Sequence, residues 1–319
     1  MTFHFLKNHS LIAQSVLCIV TALTLSPVAG QPSPAETGND VAAKVNDDLV
    51  FELPLLTELK SLAANIPEDS AAYQQIKKQV LQIAINRRLA LAYLKKISQH
   101  ASDDDIQLGV IRLEKRLVLK NQTLDDYLSE KKINRQELTH RIAWQISWSK
   151  YSSQFLNDKN YEGFYKKRKA QFDGTQLQVS QILLHIDPKQ RNADETLSLA
   201  ESVLQQILDD KLSFVDAAKQ YSDSPTGKTG GVVGLIQFDG AMPMEFNQAA
   251  FALKLGEVSK PVRTTFGYHL IKLNEFKEGM ISWQMARPRL RKAMIEYLLT
   301  FLTEQGRKIS TIEISEDWK

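Results

Sequence analysis

Few residues in this sequence have types and spacings that could do chemistry. Beyond residue 30 the histidines are His100, His140, His185 and His269. None belongs to a His-Glu-x-x-His motif, and the sequence has no Gly-x-Ser-x-Gly and no phosphate-binding Gly-x-x-x-x-Gly-Lys. It therefore predicts no metal site, no bound cofactor and no nucleophilic serine.

Two of the polar side chains that remain lie on one predicted strand, Gln178–Asp187. Side chains alternate along a strand, so Gln181 and His185 share one face while Ile182 and Leu184 share the apolar other. Four residues at about 3.3 Å each put roughly 13 Å between Gln181 and His185. Only one of the two can therefore face a given reacting bond.

Composition sets the frame around these residues. A chain of 319 residues with 43% apolar and 24% charged content is typical of a folded protein of about two domains. Lys plus Arg exceeds Asp plus Glu by only 40 to 37, which argues against nucleic acid as a partner. We expect the one local basic cluster to be a solvated helix face; it consists of Arg287, Arg289, Arg291 and Lys292.

Residues 1–30 have the pattern of a signal peptide. Lys7 forms a short basic region, Leu11 to Leu25 is mostly apolar, and the small residues Val28-Ala-Gly30 precede Gln31. We expect export to the periplasm or another extracytoplasmic compartment. The alternative is an uncleaved leader that keeps the protein near the membrane, although the apolar run is short for a bilayer span.

Cysteine usage agrees with export. The only cysteine is Cys18, inside the leader, so the mature chain has no thiol for a disulfide, a zinc site or a nucleophile. Residues 31–40 are rich in Pro, Ser and Gly and predict a flexible tether.

Residues 41–172 predict an N-terminal α-helical domain. A short hairpin at Val41 to Leu53 opens it, and apolar residues three and four apart predict helices at Tyr73 to Ile97 and Asp103 to Lys120. Thr123 and Asn134 are predicted N-caps, each with an acidic residue three positions later.

An aromatic stripe runs along the last long helix of this domain: Trp144, Trp148, Tyr151 and Phe155. Its spacing of four, three and four favours core packing. The alternative is an exposed peptide-binding surface.

A compact α+β unit is predicted at residues 175–277. It begins with the strand Leu177 to Ile186, continues with two helices, Asp194 to Asp210 and Ser213 to Tyr221, and ends with strands at Val258 to Arg263 and Tyr268 to Phe276. In residues 278–319, a helix from about Ser282 to Glu304 and an alternating segment, Lys308 to Ile314, follow.

An ordered series of motifs crosses this unit. The series contains Phe214-x-x-x-Ala218-x-x-Tyr221-Ser222, Gly230-Gly231-x-x-Gly234, Met242-Pro243-x-x-Phe246-x-x-Ala249-x-Phe251-x-Leu253, Gly256-Glu257-Val258-Ser259-x-Pro261-Val262 and Thr264-x-x-Gly267-Tyr268-His269-x-Ile271. This series resembles the parvulin family of peptidyl-prolyl cis-trans isomerases.

The remainder of the chain resembles exported parvulin-type chaperones of the SurA and PrsA kind, with Val41 to Glu52 similar to the opening of their helical domain. The resemblance implies an α+β protein: an N-terminal all-α chaperone-like domain, completed by the C-terminal helix and strand of 278–319, plus one parvulin-like domain with a small antiparallel sheet.

The implied chemistry is rotation about an X-Pro bond, whose barrier of roughly 20 kcal/mol reflects the amide resonance lost on twisting. No bond breaks, so the catalyst needs an apolar pocket for the proline ring, exclusion of water and hydrogen bonds that strengthen on twisting.

By their match to family positions, Met242, Phe246 and Val233 would form the proline pocket, and Thr264 and His269 a polar pair. Ser224 falls where relatives carry Cys, Asp or Ser.

The chain departs from the family in its opening strand, where relatives commonly read Ser-His-Ile-Leu and this sequence reads Ser180-Gln-Ile-Leu183. Gln181 therefore takes the place of the first of two active-site histidines. Its amide can still donate and accept hydrogen bonds. We expect His185 to lie at the end of the strand, away from the twisted bond.

Two functions follow from the resemblance. The first is an exported prolyl isomerase and foldase acting on unfolded, proline-containing polypeptides. The alternative is a holding chaperone that binds extended chains with the same domains and little turnover. A structural surface protein is a third possibility, which the lack of repeats and disulfides disfavours.

Overall fold

A computed structural model describes residues 40–187, 189 and 191–319. The predicted signal peptide and all but the last residue of the predicted tether lie outside these described residues. The strands are β1 (Val41–Val45), β2 (Asp48–Phe51), β3 (Gln176–His185), β4 (Val232–Ile236), β5 (Val262–Thr264), β6 (Gly267–Lys277) and β7 (Ile312–Ile314). The helices are α1 (Glu52–Leu62), α2 (Ala71–Lys96), α3 (Asp103–Val118), α4 (Leu124–Lys131), α5 (Arg135–Ser153), α6 (Asp158–Lys167), α7 (Lys169–Phe172), α8 (Ala193–Leu208), α9 (Phe214–Tyr221), α10 (Met244–Ala250) and α11 (Arg287–Arg307).

The described residues form two compact units. Unit 1 contains the described residues up to Asn157 together with Lys292–Lys319, and unit 2 contains the described residues of Asp158–Arg291. Helices and small antiparallel sheets occur together, so the predicted α+β class is confirmed. No helix in the described part of the chain is long and apolar enough to cross a membrane.

Unit 1 is not purely helical, because its two ends in sequence build a three-stranded antiparallel sheet in the order β2-β1-β7. Asn46 occupies the β1–β2 turn at φ +53°. Its side chain donates to Ser310 Oγ and accepts from the backbone N–H of Thr311. The hairpin and the C-terminal strand were predicted separately; the sheet arises because they pair.

Local signals in unit 1 behave as their residue types predict. The Thr123 side chain accepts a hydrogen bond from the backbone N–H of Asp126, whose carboxylate in turn accepts one from the Thr123 N–H. Asn134 caps α5 by accepting from the Glu137 N–H. Both predicted N-caps are confirmed.

The aromatic stripe on α5 packs inside unit 1. Tyr151 is buried in a core cluster with Leu298 and Leu302 of α11, and the rings of Trp144 and Trp148 stack 5.6 Å apart at its edge. The packing interpretation of the stripe is confirmed.

Unit 2 is organised around a four-stranded antiparallel sheet in the order β4-β3-β6-β5. Its two faces carry separate apolar cores. Ile182 and Leu270 pack with α8 and α9 on one face, whereas Val179 and Ile271 pack with Phe246 of α10 on the other.

The boundary between the units differs from the predicted one, since α6 and α7 belong to unit 2 rather than to the N-terminal domain. Hydrogen bonds between the segment that precedes the sheet in sequence and the segment that follows it hold these helices in unit 2. Tyr165 Oη donates to the carbonyl of Ile281, and the Ile281 N–H donates to the carbonyl of Asp173. Periodicity along α6 could not reveal these partners more than a hundred positions away.

The basic cluster at the start of α11 is exposed at Arg287, Arg291 and Lys292, as expected for a solvated face. Arg287 pairs at the surface with Asp158 at 2.7 Å, and Arg289 pairs with Asp239 at 3.1 Å while also donating to the carbonyls of Gln171 and Phe172. Half-buried Arg289 thus ties the start of α11 to other parts of unit 2.

Candidate functional site

The sheet of unit 2 brings three of the predicted polar residues into one chain of hydrogen bonds. His269 on β6 lies opposite Leu183 of β3 and Val262 of β5, so its ring lies between Gln181 and Thr264. His269 Nδ1 is 2.9 Å from Gln181 Oε1, and His269 Nε2 is 2.7 Å from Thr264 Oγ1. All three side chains are buried.

The partners determine the direction of this chain. With the Gln181 amide oriented so that Oε1 faces the ring, Nδ1 must donate, because an amide oxygen only accepts. Nε2 is then an acceptor and receives the Thr264 hydroxyl proton. Thr264 Oγ1 itself accepts from the backbone N–H of Phe266 at 3.1 Å. The Phe266 N–H, the Thr264 hydroxyl and the His269 Nδ1–H thus each have an acceptor.

Electrostatics keep the imidazole uncharged. His269 is 2% exposed, and burial, with a smaller contribution from His185, lowers the pKa of His269 to about 4. At neutral pH the ring is therefore a neutral hydrogen-bonding group that positions its neighbours. A neutral imidazole is a weak acid, so the ring acts through its hydrogen bonds and not by proton transfer.

The apolar candidates lie against the same ring. Phe246 packs edge-on to His269 with ring centroids 5.4 Å apart, and half-buried Met242 and Val233 belong to the same apolar cluster. Phe246 is fully buried at 0% exposure. Of the three predicted pocket residues, only Met242 and Val233 are therefore partly exposed.

Met242 and Phe246 do not share a helix. Helix α10 begins at Met244 with Pro243 as its N-cap, and Met242 belongs to the preceding loop. The cause is local, because a residue before proline is disfavoured in helical geometry.

Ser224 stands apart from the hydrogen-bonded chain. It caps the 3₁₀ helix Pro225–Thr229, where its Oγ lies 3.0 Å from Thr226 Oγ1 and 3.4 Å from the Thr226 backbone nitrogen. The loop is tied to β3, since Asp223 N–H donates to the carbonyl of Leu183. Ser224 is thus beside the strand that carries Gln181 but is not bonded to Gln181 among the described residues.

Gly231, in the Gly230-Gly231-x-x-Gly234 motif, allows the backbone of Gln181 to pair with the neighbouring segment. The Gln181 N–H donates to the Gly231 carbonyl at 2.8 Å. Gly231 has φ +83°, and a Cβ there would lie 2.4 Å from the backbone carbonyl oxygen of Gln181. Any side chain would push β3 away. The double glycine at 230–231 was the signal that pointed to such a close approach.

His185 lies where the strand argument placed it, exposed at the end of β3, with its backbone N–H donating to Asp223 Oδ2. Its side chain is not part of the His269 network in the described structure. Across the described residues, no group of three His, Cys, Asp or Glu side chains is placed to hold a metal ion.

Comparison with known proteins identifies this site by class. Residues 182–275 match the family described as Rotamase: PPIC-type PPIASE domain. The match begins one residue after Gln181. Unit 2 therefore contains a parvulin-type peptidyl-prolyl isomerase domain.

Relatives place the chain more narrowly. It is 28% identical over 203 residues to the Foldase protein PrsA of Caldanaerobacter subterraneus subsp. tengcongensis, covering 62% of this chain and 56% of the relative. It is 30% identical over 168 residues to the Parvulin-like PPIase of Rickettsia prowazekii, covering 50% and 56%. The chain thus matches little more than half the length of these relatives. The crystal structure of the peptidylprolyl isomerase PrsA from Bacillus anthracis is 23% identical, with 70% of this chain and 94% of that one covered and a TM-score of 0.35. The chain is thus similar to PrsA foldases, and its residues 182–275 match a parvulin-type domain.

Proposed function

We propose that the protein is an extracytoplasmic peptidyl-prolyl cis-trans isomerase and foldase that acts on X-Pro bonds of unfolded exported polypeptides. The observation that carries the proposal is the buried, neutral chain of Thr264, His269 and Gln181 beside an apolar cluster in a PPIC-type domain.

The proposed mechanism uses only position and polarity. The proline ring lies on Met242 and Val233, supported by Phe246 from beneath. As the peptide bond twists, resonance is lost, the C–N bond gains single-bond character and the proline nitrogen lone pair becomes free to accept a hydrogen bond. The described residues bond Gln181 through Oε1, so its Nε2 keeps donors for that nitrogen. Ser224 contributes a polar rim.

Met242 offers the sharper test of the pocket, because removal of the fully buried Phe246 ring would damage the core. Met242→Ala should lower kcat/KM about tenfold, equivalent to roughly 1.4 kcal/mol of lost apolar contact. A protease-coupled assay on the chain from Gln31 onward measures this. Met280→Ala is the matched control, since Met280 is 98% exposed. If the unmodified protein gave no more isomerisation than the uncatalysed background, the proposal that it is an enzyme would be refuted.

Gln181 tests the departure from the family. Gln181→His should raise kcat/KM by about 5-fold to 30-fold if the lost histidine costs one or two hydrogen bonds of about 1 kcal/mol each. Gln178→His, on the same strand, is the control. Equal activities of Gln181→His and the unmodified protein would mean that the missing histidine never limited the reaction.

The proposal of export is supported by the charge and apolar pattern of residues 1–30. Mass spectrometry of the secreted chain should find Gln31 at its start. A chain that begins at Met1 and stays with the membrane fraction would support the uncleaved anchor instead.

A holding chaperone is the second candidate, and one observation in unit 1 favours it. Helix α3 buries Ile106 and Leu117 and also carries three exposed apolar residues on its opposite side, Leu108, Ile111 and Val118. Exposed apolar residues at this spacing suit extended polypeptides. Suppression of aggregation that survives Met242→Ala but is lost in a Leu108→Ser, Ile111→Ser double variant would support this function.

A further inference from the structure

Asn247 is a buried polar residue next to the candidate site. It follows Phe246 in α10 and is 1% exposed. Its Nδ2 donates to the backbone carbonyl of Met242 at 3.1 Å. Its Oδ1 is buried without a hydrogen-bond partner among the described residues. The opposite amide orientation would place two oxygens against each other, so the bond to Met242 determines the orientation.

The helix does not need this side chain. The backbone N–H of Asn247 donates to the Pro243 carbonyl, and its carbonyl accepts from Phe251 N–H, as in any helix interior. An unpaired amide oxygen in an apolar core destabilises the fold, and an apolar side chain of the same size would not incur that cost. What asparagine adds is the single bond to the Met242 carbonyl.

That bond acts on a loop that little else orders. Met242 precedes α10, and the N-cap Pro243 makes no side-chain capping bond. In the described structure the Met242 backbone makes no other hydrogen bond outside regular elements. Without Asn247, the long thioether side chain would sample several rotamers before a ligand arrived.

We propose that Asn247 is a positioning residue that holds the Met242 backbone and so preorganises the apolar pocket. The proposal rests on the proposed function for its kinetic consequence but not for its structural one. Binding of proline peptides should depend on Asn247 more than turnover does, because preorganisation lowers the cost of forming the complex.

The test combines kinetics with a probe of Met242 itself. Asn247→Leu should raise KM about fivefold, the effect of one lost hydrogen bond, and leave kcat within about twofold. The midpoint of thermal unfolding should stay or rise. In ¹³C-methyl methionine spectra the Met242 signal, assigned by its loss in Met242→Ala, should move towards the position of exposed Met280.

Two further variants complete the design. Adding Asn247→Leu to Met242→Ala should produce no further rise in KM, since the contact to be positioned is gone. Asn274→Leu is the matched control; Asn274 donates to Ser180 Oγ at 2.9 Å, and its loss should leave KM and the Met242 signal unchanged. If the leucine side chain does not fit at position 247, Asn247→Ala serves instead. It loses the same hydrogen-bond donor, and the same change in the Met242 signal is expected.

An unchanged Met242 signal in Asn247→Leu and Asn247→Ala would overturn the proposal, as would lower stability with unchanged KM. The methyl signal does not require turnover. A wild-type protein without isomerase activity would therefore refute the proposed function while the spectra still decided the role of Asn247.

Discussion

His269 illustrates how a single side chain is controlled by its surroundings. Its ring has Gln181 on one nitrogen and Thr264 on the other, with Phe246 against its face. Burial removes the water that would stabilise an imidazolium, so the neutral form dominates over the ordinary working range of pH. The site is therefore suited to orient a substrate and unsuited to acid–base catalysis.

This burial predicts an acid-sensitive unit 2. The pKa of His269 is about 4 in the folded protein against an ordinary value of 6.5, so between these values the unfolded chain binds a proton that the folded chain does not. Stability should be unaffected above pH 6.5 and should fall as the pH drops from 6.5 to 4, by roughly 3 kcal/mol in total. Denaturant titrations at pH 7.5, 5.5 and 4.5 measure this. If the His269→Gln variant lost the same stability over this pH range, the loss would be due to other titrating groups.

At the scale of elements, a buried ion pair joins β2, α2 and α5 in unit 1. Arg88 donates to Glu137 Oε2 at 2.6 Å and to the Leu49 carbonyl at 3.0 Å, while Arg141 donates to Glu137 Oε1 at 2.8 Å. Burial acts to raise the pKa of Glu137, but the two guanidinium groups outweigh it and hold that pKa below its ordinary value. The carboxylate thus stays charged between its partners.

Glu137→Gln should destabilise unit 1 by about 3–5 kcal/mol, because it leaves the buried Arg88 cation without a counter-charge. Urea unfolding followed by circular dichroism gives the value. Glu130→Gln removes an exposed pair with Lys131 and should have little effect. Equal effects of the two substitutions would contradict the role of burial.

At the scale of the whole molecule, unit 1 closes through residues distant in sequence. Trp318 is buried in the core that contains Val45 and Leu89, and its Nε1–H donates to Glu52 Oε1 at 3.0 Å across 266 positions. Strand β7 adds backbone pairing to β1. Unit 2 occupies the stretch of chain between these contributions.

Trp318→Ala should therefore destabilise unit 1 by about 3–5 kcal/mol and leave unit 2 unchanged. Hydrogen exchange read by mass spectrometry separates the two, with amides of β1 losing protection and amides of β6 keeping theirs. Loss of protection in both strands would show that the units unfold together.

Local residue types were enough to determine the class of this protein and much of its secondary structure. Apolar spacing and capping residues place the helices because helix formation depends on neighbours three and four positions apart. The ordered motifs from Phe214 to Ile271 indicate the parvulin domain. The rise per residue along a strand was enough to separate Gln181 from His185, which share a face four positions apart.

Only the tertiary structure decided how these parts meet. The bond between Gln181 and His269 spans 88 positions and depends on strand register, and the burial of Phe246 depends on how α10 packs on the sheet. The transfer of α6 and α7 to unit 2 and the addition of β7 to β1 likewise follow from partners far along the chain. Periodicity carries no record of such partners, because it reports which face of an element is apolar and not which surface covers it.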